Sequence, residues 1–251
     1  MAFYNICFSP TGGTKKVADI IINNLTKEFI NIDICKDIDP ISLNKNDICL
    51  ISIPSYGGRV PDIAITRIKK IQGNGAIAIL NCVYGNREWE DTLTELEDTL
   101  KNSNFVCAAG IAAVAEHSIF RQYAKGRPNN DDKLELIEFT KRIKEKISIG
   151  IFNDLKLEGN HYDYKVYNRP SLIPQANNNC ISCGACANSC PALAISKENP
   201  KPTDSLLCIG CMRCVNICPT SARDFDAEMM KEKALRMEPR LGGYKKNHLF
   251  L

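Results

Sequence analysis

The first 150 residues alternate short apolar runs with segments of helical periodicity. The apolar runs have the length of strands and lie at residues 3–8, 30–34, 48–53, 76–83 and 105–114. Between them, apolar residues recur at helical spacing at Val17, Ile20, Ile21 and Leu25, and again near residues 61–71, 87–102 and 130–148. Strands that alternate with helices predict an α/β domain whose parallel sheet is covered on both faces.

This pattern stops after residue 149. Residues 150–179 are rich in Asn and Tyr and show no sustained period, so we interpret them as an interdomain connection. Residues 180–226 hold an internal repeat and form the second, smaller domain. Residues 227–251 are expected to form a helix that ends at Gly242-Gly243, followed by a tail.

Eight of the thirteen cysteines fall into two matched runs, which begin at residues 180 and 208. In each run the spacing is C-x2-C-x2-C-x3-C-P, which is typical of bacterial 4Fe–4S clusters, and the fourth cysteine of each run ligates the other cluster. One cluster is therefore expected on Cys180, Cys183, Cys186 and Cys218, and a second on Cys190, Cys208, Cys211 and Cys214. Structural zinc is the alternative, but it does not explain the third closely spaced cysteine or the repeated proline.

Three glycine-bearing loops follow predicted strands and should meet at the carboxyl edge of the sheet. The first, Ser9-Pro-Thr-Gly-Gly-Thr14, has the hydroxyls and the helix N-terminus that suit a phosphate, although a plain glycine turn is the alternative. The other two loops, residues 54–61 and 81–87, contain tyrosines that would flank a flat ring. The predicted cofactor-binding residues are Ser9, Thr11, Gly12, Gly13, Thr14, Ser55, Tyr56, Gly57, Gly58, Cys82, Tyr84, Gly85 and Asn86.

Over residues 1–148 these loops resemble those of the flavodoxin family, in which the first loop binds the phosphate of FMN and the later two hold the isoalloxazine ring. The resemblance implies a doubly wound sheet of five parallel strands in the order 2-1-3-4-5. Residues 176–226 resemble two-cluster bacterial-type ferredoxins of α+β structure, so the whole chain resembles a flavodoxin–ferredoxin fusion with FMN and two 4Fe–4S clusters as cofactors. One departure is that Arg59 and Arg87 occupy the ring loops, where flavodoxins usually carry acids.

Composition narrows the function classes. The formal charge is +3, but two clusters and a flavin phosphate would shift it to about −3. No basic run is interleaved with aromatic residues, so nucleic-acid binding is not expected. The longest apolar runs fall short of the roughly 20 residues that span a bilayer, and the N-terminus lacks a secretory pattern, so we expect a cytoplasmic protein without a membrane span.

The expected function is electron transfer that converts between one- and two-electron couples, with an unidentified redox protein or small-molecule acceptor as partner. The alternative is a flavin-dependent reductase of a small oxidant such as a quinone, a nitro compound or oxygen. Trp89 is a candidate for flavin contact and His117 for proton donation near the flavin, although a core role for Trp89 and a structural role for His117 are the simpler interpretations. We also expect Arg59 to lie near the ring and to favour the reduced, anionic flavin. An ion pair with a neighbouring acid is the competing interpretation of Arg59.

Overall fold

The computed structural model describes residues 1–168 and 170–251. The N-terminal part contains these elements: β1 (Phe3–Cys7), α1 (Gly13–Leu25), β2 (Ile30–Asp33), β3 (Ile41–Ser42), β4 (Ile48–Pro54), α2 (Asp62–Ile68), β5 (Ile71–Gln72), β6 (Ile77–Tyr84), α3 (Thr92–Asn102), β7 (Val106–Val114) and α4 (Asn130–Ile149). The five predicted apolar runs all form strands, because their β-branched side chains pack well on a pleated, buried surface.

The remaining elements are short until the chain nears its end. They are β8 (Gln175–Ala176), α5 (Ala185–Ser189), α6 (Arg213–Asn216), β9 (Arg223–Asp224), α7 (Ala227–Leu241) and β10 (His248–Phe250). Strands β8 and β9 pair antiparallel and frame the cysteine repeat. Strands β3 and β5 form a separate parallel pair.

The main sheet has six strands in the order β10-β7-β6-β4-β1-β2. Counted along the chain, its five parallel strands are arranged 2-1-3-4-5. The sixth strand, β10, was not expected from the sequence. It pairs antiparallel with β7, placing His248 opposite Ala112 and Phe250 opposite Gly110, so the C-terminus of the chain completes the N-terminal sheet.

Two apolar cores lie on the two faces of this sheet. On one face, side chains of α1 and α4 such as Ile21, Ile22 and Leu136 pack against β4 and β7. On the other face, Leu93, Leu96 and Leu100 of α3 pack among residues of β4 and β6. Because the parallel strands are covered on both faces, their carboxyl ends are the part of the sheet left open to a ligand.

Residues 150–174 contain no helix or strand among those described, yet they cover the outer side of α3. The Asp98 carboxylate accepts a hydrogen bond from Tyr164 Oη at 2.5 Å and lies 2.9 Å from His161 Nδ1. Thr94 Oγ1 donates to Asn160 O at 2.8 Å. These contacts explain why α3 is buried along most of its length although its sequence is amphipathic.

Candidate cofactor sites

A cleft of about 580 Å³ lies at the carboxyl edge of the sheet. Its lining includes Thr11, Gly13, Thr14, Ser55, Tyr56, Gly57, Tyr84 and Gly85, all of which the sequence had marked. It also includes Tyr167, His117, residues Ile209 and Gly210 of the cysteine repeat, and the side of α7 that carries Lys233. The three loops therefore meet, as expected for ends of neighbouring parallel strands, and four further segments close the cleft around them.

The first loop is built to receive an anion. Gly12 has φ +91°, a conformation that favours glycine, and it caps the N-terminus of α1, whose first turn contains no acidic residue. Ser9 Oγ accepts a hydrogen bond from Lys15 N at 2.9 Å and fixes the loop to the helix. Within the described residues, the backbone N–H groups of positions 11–14 have no acceptor. Unsatisfied amides at a helix N-terminus fit a phosphate group.

Two aromatic residues line the cleft next to each other, Tyr56 of the second loop and Tyr167 of the connection. Gly57 has φ +64°, and a Cβ added there would lie 3.4 Å from the ring of Tyr167. Tyr56 lines the same part of the cleft. Burial, followed by the neighbouring thiols of Cys211 and Cys35, raises the pKa of Tyr56, so its hydroxyl stays protonated. No sequence pattern identified Tyr167 as a cleft residue, because it lies in a segment without periodicity.

The structure places several predicted site residues elsewhere. Cys82 lies in the core beneath α3, because its strand position points to the helix-covered face. Asn86 Nδ2 donates to Leu241 O at 2.6 Å and to Gly243 O at 2.9 Å, so Asn86 holds the C-terminal segment. Gly58 packs against the side chain of Glu90, where a Cβ would overlap the carboxylate. Ser9 and Gly12 are not part of the cleft wall, but they remain in the first loop and set its conformation beside the amides of residues 11–14.

Tyr84 and Trp89 do not flank the cleft with their rings. Tyr84 is buried, and its hydroxyl donates to Lys246 O at 2.7 Å. Trp89 precedes α3 and packs edge-on against Tyr84 at 5.2 Å and against His248 at 4.9 Å between ring centroids. Both rings therefore belong to the core beneath β10, which is the simpler interpretation given for Trp89, while part of Tyr84 still lines the cleft.

Arg59 is also placed differently from our expectation. Its guanidinium forms a two-point ion pair with Glu95, at 2.8 and 2.5 Å, and lies 4.8 Å from the ring centre of Tyr164. Glu95 is buried on α3, and Arg59 does not line the cleft. Arg87 does line the cleft, but it pairs with Glu90 at 2.8 Å. The interpretation of Arg59 as an ion-pair residue is the one that the contacts support.

The eight clustered cysteines separate into two groups of four. One small cavity is lined by Cys180, Cys183, Cys186 and Cys218. A second is lined by Cys190, Cys208, Cys211 and Cys214. Each group takes three thiols from one run and the fourth from the other run, which is the interlocked arrangement derived from the spacing. Four thiols around an open cavity fit a 4Fe–4S cluster.

Backbone amides and one buried cation surround these thiols. Ala194 N donates to Cys190 Sγ at 3.3 Å, and Ala222 N donates to Cys218 Sγ at 3.2 Å. Such N–H···S bonds stabilise ligating thiolates. Arg223 is fully buried beside the first group, where it donates to carbonyls at Pro174 and Lys201, among others, and has no acidic partner among the described residues. Its positive charge suits a site that holds anionic thiolates.

The comparisons with known proteins cover the two parts separately. Residues 175–223 match the family model of a 4Fe-4S dicluster domain. A search of the curated proteins gave no match. A flavodoxin of Streptococcus pneumonia TIGR4 is 17% identical with a TM-score of 0.42, covering 60% of this chain and 100% of its own. Flavodoxin 2 of Bacillus cereus is 15% identical with a TM-score of 0.44, covering 58% and 99%.

Two findings describe the kind of protein this is. The α/β part has the strand order 2-1-3-4-5 of a flavodoxin-like doubly wound fold, with three loops at one edge. The part that follows it matches a 4Fe-4S dicluster domain over residues 175–223. None of the helices in the two described ranges has both the length and the apolar character needed to cross a bilayer.

Proposed function

We propose that this protein binds FMN and two 4Fe–4S clusters and transfers electrons between them, so that it connects one-electron and two-electron couples. The observation that carries this proposal is that Ile209 and Gly210, which lie between the cluster thiols Cys208 and Cys211, form part of the wall of the cleft. When bound, FMN accepts one or two electrons and an iron–sulfur cluster passes one at a time. A shared wall keeps the two kinds of site in close proximity.

Specific contacts hold the cysteine repeat against the rest of the chain beside this wall. Gly210 has φ +65°, and a Cβ there would lie 2.7 Å from Pro170, so glycine allows the cysteine loop to pack closely on the connection. Arg67 is buried and donates to Ile34 O at 2.9 Å and to Pro191 O at 2.7 Å. It thereby holds the residue next to Cys190 against the end of β2. Together these contacts fix the cysteine domain at the edge of the cleft.

Anaerobic purification followed by cofactor analysis tests the proposal directly. We expect about eight iron, about eight sulfide and one FMN per chain. Rapid mixing with a one-electron donor then reports flavin reduction in the native protein and in Cys211→Ala. We expect flavin reduction to slow at least tenfold in the variant; equal rates would contradict transfer through the cysteine domain.

The second candidate function is a reductase of a small oxidant. The position of His117 in the cleft lining favours this candidate, because a small molecule that reaches the flavin would also meet this residue. Turnover with a quinone, a nitro compound or oxygen at ordinary enzyme rates would establish it.

A further inference from the structure

Helix α7 presents a row of cations to the cleft. Lys233, Arg236 and Arg240 all line the cleft, and their spacing of three and four residues places them on one face of the helix. The sequence predicted this helix but contained no signal that would place it at the cleft. The charge that distinguishes this cleft from an acidic flavin site is therefore supplied by α7 rather than by Arg59.

These cations lack balancing acids. Within the part of the chain that the structure describes, neither Lys233 nor Arg240 has an acidic partner. Arg236 lies 3.6 Å from Glu232, but both side chains are exposed, and such pairs contribute little. Among the lining residues Glu116 supplies a carboxylate, which accepts a hydrogen bond from Gly126 N at 3.0 Å. This side of the cleft is thus net positive.

His117 adds a hydrogen-bond donor of fixed orientation. Its Nδ1 accepts hydrogen bonds from the backbone N–H groups of Ile119 and Phe120, each at 3.1 Å, so the proton of the neutral ring sits on Nε2. Gly85 packs against the ring edge, where a Cβ would lie only 2.9 Å from His117 Cδ2. No hydrogen-bond partner of Nε2 is present in the described residues. The ring is held in place while one donor stays available.

One segment connects the glycine loop to α7, the helix that carries the cations. Residues 115–123 follow β7 and begin at Ala115, which would be 3.7 Å from a Cβ on Gly13. The segment ends at Tyr123, whose hydroxyl donates to Ala234 O of α7 at 2.8 Å. His117 lies between these two contacts. The glycine loop and α7 are therefore contacted by opposite ends of this segment.

We propose that His117, Lys233 and Arg240 form a second anion-binding subsite, which takes the carboxylate or phosphate of a small organic substrate beside the flavin. The proposal rests on the proposed function, since it assumes that FMN occupies the glycine loop and the ring loops. A fixed N–H donor and unpaired cations that line one cleft recognise an anionic oxygen by charge and by direction. Small organic anions are therefore the class of substrate that this subsite favours over neutral quinones.

The test uses FMN-loaded protein titrated with succinate and with inorganic phosphate at constant ionic strength. Flavin difference absorbance and the ¹⁵N resonances of His117 report binding. We expect saturable binding that weakens at least tenfold in the double variant Lys233→Gln/Arg240→Gln. The matched control is Arg142→Gln/Lys144→Gln, which removes the same charge from exposed positions on α4 and should leave binding unchanged. His117→Leu should weaken binding more than His117→Gln, which retains an N–H donor.

Three results would overturn the subsite: no saturable binding in the native protein, equal binding in the α7 double variant, or a selective loss of FMN over riboflavin affinity in that variant. The last result would show that the cations serve the flavin's own phosphate. A native protein that fails to bind FMN would instead overturn the proposed function. In that case the ¹⁵N resonances of His117 in flavin-free protein still show whether the anions bind.

Discussion

At the scale of single residues, the cysteine repeat is a repeat of backbone conformation as well as of ligands. Ser182 and Gly210 occupy equivalent places in the two runs and have φ of +55° and +65°. Gly184 and Met212 form a second such pair, at +72° and +61°. Left-handed backbone at non-glycine residues is uncommon and marks a constraint. We attribute the constraint to wrapping a short loop around a group of thiols.

The interlocked thiol groups give a prediction for Cys190. Because Cys190 shares a cavity with Cys208, Cys211 and Cys214, Cys190→Ala should damage the cluster on those residues and spare the one on Cys180, Cys183 and Cys186. Cys218→Ala should do the reverse. Paramagnetic resonance spectra of the two variants, with iron content, identify the altered cluster. Loss of the cluster nearest in sequence would contradict the assignment.

The ion pair of Arg59 with Glu95 leads to a prediction about stability rather than redox chemistry. Arg59→Gln leaves a buried carboxylate without its cation, so we expect the free energy of unfolding to fall by about 2 to 4 kcal/mol. The flavin reduction potential should not change. Denaturant unfolding and a redox titration measure the two quantities. A shifted potential with unchanged stability would restore our first interpretation of Arg59.

His117 gives a prediction about pH. Burial, and then the charge of Arg87, lowers the pKa of His117 to about 4, below the ordinary value of 6.5. Between pH 4 and 6.5 the unfolded chain therefore binds more protons at His117 than the folded chain does. The stability that depends on neutral His117 is fully present above pH 6.5 and is lost as pH falls toward 4. Over this pH range we expect the free energy of unfolding of the native protein to fall by about 2 to 3 kcal/mol because of His117, and this part of the fall should be absent in His117→Gln. Denaturant unfolding at pH 4 to 7 measures this free energy, with His161→Gln as the control. The same pH dependence in native protein and His117→Gln would refute the prediction.

At the scale of elements, the C-terminal segment 227–251 determines the shape of the cleft. Helix α7 closes it, and β10 anchors the segment to β7. Between them, the Asn247 side chain accepts a hydrogen bond from Val114 N at 2.9 Å and donates to Asp132 at 2.9 Å and Glu135 at 2.6 Å. A tail without strong hydrophobicity is thus fixed by buried polar contacts.

Asn247→Ala tests this anchor. The variant leaves a buried N–H group and two carboxylates with fewer partners, so we expect a loss of about 2 kcal/mol of unfolding free energy and weaker FMN binding. Asn24→Ala, on the exposed side of α1, is the matched control and should change neither. Denaturant unfolding and flavin fluorescence provide the measurements. Native stability in Asn247→Ala would show that β10 is anchored by its strand pairing alone.

At the scale of the whole molecule, the cysteine domain and the α/β domain share one cleft. Their contact depends on the guanidinium of Arg67, which joins Ile34 O to Pro191 O, and on the close approach of Gly210 to Pro170. These two contacts help to hold the two parts in the arrangement that the proposed electron transfer requires. The buried position of Arg67 makes it sensitive to substitution.

Arg67→Met keeps the length of the side chain but removes both hydrogen bonds. We expect faster hydrogen exchange at residues 190–194 and slower flavin reduction, with iron and FMN contents unchanged, because the domains would lose a fixed contact rather than their own folds. Arg142→Met is the exposed control. Hydrogen exchange followed by mass spectrometry measures the change, and identical exchange in native protein and Arg67→Met would exclude Arg67 as an interdomain contact.

The sequence by itself determined the alternation of strands and helices and the sets of thiols, because apolar periodicity and ligand spacing are local properties of the chain. The meeting of residues 9–14, 54–61 and 81–87 also followed, since parallel strands share an edge. Only the tertiary structure placed Tyr167, Ile209 and α7 around the cleft, paired Arg59 with Glu95, and added β10 to the sheet. These contacts join positions distant in sequence through backbone carbonyls and buried charges, and such interactions leave no periodic signal.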